Sequence, residues 1–359
     1  MTVLQSQVLY YSIIILTSLA LVLLMYLKDS RFRTILFYSI ISYPIFISAF
    51  RYGIGSDYFN YEIIYHQISG GLLLSFQNTR FEPGWIILNY LINIIFNDAK
   101  YVFIITSILI WVISFKALYD NRDKIHIGVA SLIMLATLYN QSFNIIRQSL
   151  AIAIVMLTIK LINDRKPFKY TMVILLAASF HYTALIFLPI YWLVNGRVKG
   201  LGIVKKVVTA ILFVISIIMI PHIVNFLSNI EAFSTYSSHY NLELQDVGIG
   251  NIIIRIPIIL VMLLNYQDLK RNGNLMGRFV YVYLLGLILQ YVGYYAEFAN
   301  RIADFYFFVE IFVLSAIYKN QKVKMKRALI LIVILIYYIA WFSFYIIYLN
   351  RHQTIPYLI

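Results

Sequence analysis

The chain has 359 residues, 62% of them apolar and 12% charged, where an ordinary globular domain has roughly 45–50% and about 25%. With a mean hydropathy of +0.81, this excludes a soluble enzyme, a disordered chain and a nucleic-acid-binding domain, and describes a polytopic membrane protein. The formal charge of +14 then reads as lysine and arginine gathered in cytoplasmic loops, and the absence of cysteine removes disulfides and thiol catalysis and argues against a zinc or iron–sulfur site.

The first apolar run, at 7–27, is long enough to span. It has no basic residue before it and no small-residue cleavage pattern after it, so a retained helix is expected. Further apolar segments follow at 34–50, 82–96, 101–118, 127–143, 147–162, 168–180, 182–196, 203–226, 251–267, 275–296, 301–318 and 328–349. They are continuous rather than alternating, which selects helices over a membrane barrel. No repeat or linker divides them, so residues 1–359 are expected to form a single integral membrane domain.

Placing the basic clusters on one side constrains the topology. The clusters are Lys28/Arg31/Arg33, Arg122/Lys124, Arg165/Lys166/Lys169, Arg197/Lys199/Lys205/Lys206, Lys270/Arg271/Arg278 and Lys319/Lys322/Lys324/Lys326/Arg327. Segment 82–96, opening on Glu82-Pro83-Gly84, must then enter and leave on the outer side as a re-entrant or interfacial helix. Segment 168–196 must be a tight pair of short helices meeting near Phe180-His181. The expected fold is an all-α bundle of about twelve transmembrane helices of about 20 residues each, plus the re-entrant element. Both termini would lie outside, with outer loops at 51–81, 141–147 and 227–250. In that arrangement 14 Lys and 8 Arg fall inside, and 1 Lys and 6 Arg fall outside. Lysine suffices to anchor a loop, whereas arginine suits a planar grip on phosphate or carboxylate. An outward-facing site for an anionic ligand is therefore expected.

Four stretches carry residues suited to such a site. In Arg51-Tyr52-Gly53-Ile54-Gly55-Ser56-Asp57-Tyr58, the glycines Gly53 and Gly55 let backbone amides approach an anion. Arg51 adds a cation there, and Asp57 a proton acceptor. Tyr58, Tyr61, Glu62 and Tyr65 share a helical face on which sugars could stack. In Asn144-Ile145-Ile146-Arg147-Gln148, residues Asn144, Arg147, Gln148 and Ala151 share a face, and Arg147 opens a short helix close to hydrocarbon, where an unpartnered charge is unfavourable. His181 interrupts a stretch free of charged residues from Thr171 to Ile190, and an imidazole can act as base or donor near neutrality. Glu297, Asn300, Arg301 and Asp304 share a face of a late segment, where Arg301 could serve a ligand or be neutralised by its neighbours. Glu82 is a further acid candidate. No phosphate-binding loop, nucleophile elbow or metal-ligand motif occurs.

The order of these pieces resembles the EpsG/Wzy-type polysaccharide polymerases: Arg51-Tyr-Gly-x-Gly-x-Asp57-Tyr-x-x-Tyr61, Glu82-Pro83-Gly84, Asn144-x-x-Arg147-Gln148, Phe180-His181-Tyr-Thr-Ala184 and a late Arg301. The resemblance spans about residues 45–310. It implies a multi-pass protein of the bacterial cytoplasmic membrane, with a bundle like the membrane glycosyltransferases of the GT-C kind. Such proteins join oligosaccharide repeat units carried on undecaprenyl diphosphate, both donor and acceptor, into O-antigen, capsule or exopolysaccharide on the outer face. No metal or other cofactor is implied, and a chain-length co-polymerase is a partner by resemblance only. On this reading Arg147, Asp57 and His181 would be catalytic, with Asp57 and His181 competing as base. Arg51, Gly53, Gly55, Tyr58, Tyr61, Glu82, Asn144, Gln148 and Arg301 would bind substrate. The alternatives are an O-antigen ligase or other outward-facing polytopic transferase, and a lipid-linked oligosaccharide flippase.

Overall fold

A computed structural model describes residues 1–195, 250–271, 275–292 and 297–357. Segment 203–226, the Arg197–Lys206 cluster and all but the last residue of the loop 227–250 lie outside the described residues. Those described form helices and no strand.

Local sequence sets the helix starts. Helix α1 (Val3–Leu24) opens with a capping box, in which Thr2 and Gln5 satisfy each other's backbone N–H groups. Helix α2 (Ser30–Ala49) is capped by the Asp29 carboxylate, which accepts from the N–H groups of Arg31 and Phe32. Two short helices, α3 (Tyr58–Ser69) and α4 (Leu72–Asn78), lead to α5 (Pro83–Phe96) and α6 (Lys100–Asp120). Then come α7 (Ile127–Leu138), a 3-10 turn at Gln141–Phe143, α8 (Ile146–Met156) and α9 (Thr158–Asn163). Helix α10 (Pro167–Ala178), a 3-10 segment at Tyr182–Phe187 and α11 (Ile190–Asn195) form the expected short pair. Beyond the undescribed stretch lie α12 (Gly250–Ile253), α13 (Ile256–Leu264), α14 (Tyr266–Arg271), α15 (Met276–Val292), α16 (Glu297–Phe307), α17 (Val309–Asn320) and α18 (Lys324–Phe342).

Among the described residues, five helical stretches are long and apolar enough to cross a membrane: Val3–Leu24, Ser30–Ala49, Lys100–Asp120, Ile146–Asn163 and Lys324–Tyr348. Other expected spans are shorter apolar helices or are interrupted. The segment expected at 127–143 ends its α-helix at Leu138, because Tyr139-Asn140-Gln141-Ser142 turns its polar groups into the protein. The segment at 251–267 is broken around Pro257, which takes an N-terminal helix position.

Contacts separate the bundle into two ends. At one, Lys319 donates to the Arg122 carbonyl (2.5 Å), Lys160 to the Asp120 carbonyl (3.3 Å), Asn195 to the Ile162 carbonyl (3.0 Å) and Arg278 to the Val194 carbonyl. These gather the basic clusters around 122, 165, 278 and 319. At the other end, Ser48 at the close of α2 donates to Ser107 near the start of α6 (2.9 Å), and Gly84 donates to the Ser179 carbonyl (2.7 Å). Phe96 stacks on Tyr101 with centroids 4.1 Å apart. The start of α5 thus meets the close of α10, and its end meets the start of α6.

Helices α1 and α7 run antiparallel in close contact. Lipid is as apolar as leucine, so such pairs are held by close packing and small residues rather than by the hydrophobic effect. Gly128 is the small residue here: a Cβ on it would lie 2.3 Å from Val22 Cγ2 and 2.9 Å from the Ser18 carbonyl. Gly128→Ala is expected to destabilise the bundle by about 1–3 kcal/mol, read as a lower unfolding midpoint in detergent; an unchanged midpoint would contradict this packing.

Candidate active site

The site is built where α5, α8 and α10 meet. Glu82 stands at the N-cap of α5 with extended backbone, followed by Pro83 in the first turn, but its carboxylate makes no capping bond to its own helix. It points instead toward two other elements. Arg147, the second residue of α8, donates through Nη1 to Glu82 Oε2 at 2.5 Å. His181, just after α10, places Nδ1 3.0 Å from Glu82 Oε1. An ionised carboxylate only accepts, so Nδ1 carries a proton and donates it in this bond. Nε2 is buried and has no hydrogen-bond partner among the described residues.

The burial is graded. The Glu82 side chain is 1% exposed, that of His181 13% and that of Arg147 25%. The carboxylate is thus an enclosed anchor for a His181 ring that is itself largely buried and for an Arg147 side chain that is partly exposed. Burial pushes the Glu82 carboxyl up, but the His181 hydrogen bond and the charges of Arg147 and His181 outweigh it and hold the group below the ordinary glutamate value. Phe81 lies under the Arg147 guanidinium at 5.1 Å, the buried Tyr61 hydroxyl stands beside it, and Phe305 of α16 lies parallel to the His181 ring at 6.4 Å. Gly84 allows the docking: a Cβ there would lie 2.5 Å from Ser179 Oγ and 2.7 Å from the Ser179 carbonyl.

Helix α16 closes a second side. Gln148 donates to the Arg301 carbonyl (2.9 Å) and to Asp304 Oδ2 (3.1 Å), and Gln141 donates to the same oxygen (2.9 Å). Asp304 is committed to these amides. The exposed Arg301 has no ion-pair partner among the described residues. A partnered guanidinium and an unpartnered one are therefore carried by two elements in direct contact.

The remaining candidates lie around this cluster. Arg51 is buried, donating to the Ser48 carbonyl (2.5 Å) and Ser107 Oγ (2.9 Å), and lies over the rings of Phe143 (4.6 Å) and Phe103 (5.4 Å). Tyr58 stacks on Phe103 at 3.9 Å. Through Phe143 the Arg51 guanidinium packs against the turn that leads to Arg147. Gly53 and Gly55 have φ of +60° and +98°, a region that favours glycine. The Gly55 amide already donates to the Gln353 carbonyl (3.1 Å). A Cβ on Gly55 would lie 2.3 Å from Asn144 Oδ1, and the Asn144 amide donates to the His352 carbonyl (3.0 Å). Asp57 accepts from Ser56 Oγ (3.2 Å) and lies outside the hydrogen bonds centred on Glu82.

The structure thus brings Glu82, Arg147, His181 and Tyr61 together. It sets Gln148 and Arg301 alongside, and joins Gly55 to Asn144. Gln141, the acceptor role of Asp304 and the contribution of His352 were not foreseen; Asp304 alone carried a signal, its shared face with Arg301.

The EpsG family model matches residues 34–359, and the chain belongs to this family, that of the Wzy-type polysaccharide polymerases. No curated protein and no solved structure matches it.

Because the folded Glu82 carboxyl is held below its ordinary value, its stabilising contribution is complete above that ordinary value and is lost as pH falls through the lowered one. Unfolding midpoints measured from pH 7 to pH 3 should therefore fall more steeply for the wild-type chain than for Glu82→Gln. At pH 7 the variant should be the less stable by about 3–5 kcal/mol, the effect of leaving a buried partner charge unmet. Parallel profiles would contradict the assignment.

Proposed function

We propose that this EpsG-family chain joins oligosaccharide repeat units carried on undecaprenyl diphosphate, by glycosyl transfer on the outer face of the bacterial cytoplasmic membrane. The observation that carries the reading is the Glu82-centred cluster, which gathers an imidazole and a guanidinium on one buried carboxylate. Family membership and the multi-pass apolar architecture support it.

The chemistry asks for two things. An acceptor sugar hydroxyl must lose its proton as its oxygen bonds to the anomeric carbon of the donor chain, and the bond from that carbon to the diphosphate oxygen must break as negative charge grows on the leaving group. In its neutral form His181 takes the proton at Nε2, with Glu82 accepting from Nδ1–H and so orienting the ring. The hydrogen bond from Nδ1 favours His181 over Asp57 for this role, and Asp57, outside the cluster, is left to contact sugar. Arg147 and the unpartnered Arg301 receive the diphosphate, stabilising charge as it develops. Glu82 keeps Arg147 in place between turnovers, and the N–H groups of Arg147 not bonded to Glu82 remain for phosphate oxygens. Tyr61 lines the approach, while Arg51, Tyr58, Gly53, Gly55, Asn144 and Gln148 hold its floor and walls.

The test is polymerisation of a synthetic undecaprenyl-diphosphate repeat unit by purified protein in vesicles. Arg147→Lys should lower the rate of chain extension by about 100-fold or more at unchanged abundance, since an ammonium cannot share itself between carboxylate and phosphate as a planar fork does. His181→Ala should lower the rate of chain extension by about 100-fold or more, the loss expected of a missing general base. Wild-type chain lengths from Arg147→Lys would contradict the proposal. In cells, loss of the gene should leave single repeat units on the surface, whereas total loss of surface glycan would point to a flippase or ligase.

A further inference from the structure

The residues after α18 do not trail away from the bundle. Asn350 folds them into a closed loop: its Oδ1 accepts from the backbone N–H groups of Thr354 (3.1 Å) and Ile355 (3.2 Å), and its Nδ2 donates to the Ile355 carbonyl (2.8 Å). The loop is then fastened at several separate places. Thr354 is 0% exposed; its carbonyl accepts from the Tyr10 hydroxyl of α1 (2.9 Å) and its Oγ1 from the Asn140 amide (2.8 Å). The Tyr357 hydroxyl donates to the Ile47 carbonyl of α2 (2.6 Å).

Between these anchors the segment touches two of the loops that lead into the candidate site. The Gln353 carbonyl accepts the Gly55 amide (3.1 Å). The Asn144 side-chain amide reaches both the His352 carbonyl (3.0 Å) and His352 Nδ1 (3.3 Å). Burial, with the nearby Arg351 charge, lowers the His352 imidazole to about 4. The ring is therefore neutral, and Nδ1 is free to accept from the amide. Gly55 leads into the helix that carries Tyr61, and Asn144 stands three residues before Arg147.

We propose that residues 350–357 form a positioning strap, in which the Gln353 carbonyl holds the Gly53–Gly55 loop while the flanking His352 and Thr354 hold the Asn140–Asn144 turn, keeping the two in register and so setting where Arg147 stands relative to Tyr61. Neither His352 nor Thr354 touches the Glu82 cluster; both act through the backbone they hold. The kinetic consequence rests on the polymerase reading above, whereas the coupling of the two loops does not.

Two pairs of variants test the strap in the full-length protein. Thr354→Val keeps the side-chain shape and removes the acceptor for Asn140, while Thr354→Ser restores it. His352→Leu removes the acceptor for Asn144, while His352→Gln supplies one. Two readouts are needed: kcat and KM for an undecaprenyl-diphosphate repeat unit, and hydrogen–deuterium exchange of the peptides covering 53–61 and 141–148. Thr354→Val and His352→Leu should lower kcat about tenfold or more with KM within about twofold, as expected of misplaced but present groups. Both should raise exchange in both peptides, and Thr354→Ser and His352→Gln should return both readouts toward wild type. Unchanged exchange in the two peptides would overturn the strap, as would exchange raised equally across the whole bundle or no recovery in the conservative variants. A wild-type protein that extends no lipid-linked repeat would overturn the polymerase reading, and the exchange comparison would still decide the strap.

Discussion

A carboxylate withdrawn from water inside a helical bundle destabilises the fold by several kcal/mol unless its charge is met and its lone pairs are occupied. Glu82 meets that condition through two partners, one on each oxygen. They lie 65 and 99 residues away in the chain. The pairing therefore forms only when α5 docks against the start of α8 and the end of α10, which in turn needs a residue without a side chain at Gly84. Two chemical consequences follow from this one anion. It orients the His181 ring through Nδ1, and it holds Arg147 in place with part of its side chain still exposed. A site assembled this way is organised before any substrate arrives, which is the condition for electrostatic stabilisation of a developing charge.

The bundle around it is polarised. Basic clusters meet at the end away from Glu82, while arginines stand at the Glu82 end: Arg51 buried against rings, Arg147 shared with Glu82, Arg301 exposed. A fourth arginine, Arg255, is buried nearer α15 and α17. It donates to the Tyr283 hydroxyl (3.2 Å) and Glu310 (3.4 Å) and packs on Phe307 at 3.7 Å. Charged groups within a membrane bundle persist when paired in this way. The pair ties α13, α15, α16 and α17 into one unit, and α16 is the element that presents Arg301 and Phe305 to the site.

Much of this was legible residue by residue, and little of it as an assembly. Continuous apolar runs located the helices because a spanning or buried helix tolerates few charges. Arg147, His181 and Glu82 stood out for a related reason, each being a charge or imidazole set against an apolar background. That they converge on one carboxylate could not be read, since convergence depends on how distant segments dock. Arg51 shows the opposite difficulty. Its pattern with two glycines fits an anion nest, but the same backbone also suits a loop closed on protein, and here the Gly55 amide is taken by the Gln353 carbonyl. His352 and Thr354 carried no signal at all, because a short polar run after an apolar helix looks the same whether it is solvated or folded back. The interruptions at Tyr139 and Pro257 were likewise hidden inside runs that read as uniform.

The most direct measurement is a structure of the protein in a lipid nanodisc with undecaprenyl diphosphate bound. The account predicts phosphate oxygens within about 3 Å of Arg147 and Arg301 nitrogens, with Glu82 still joined to His181 and His181 Nε2 turned toward the place the acceptor sugar hydroxyl would take. A diphosphate seated at the lysine-rich end, or one that leaves both arginines untouched, would contradict it.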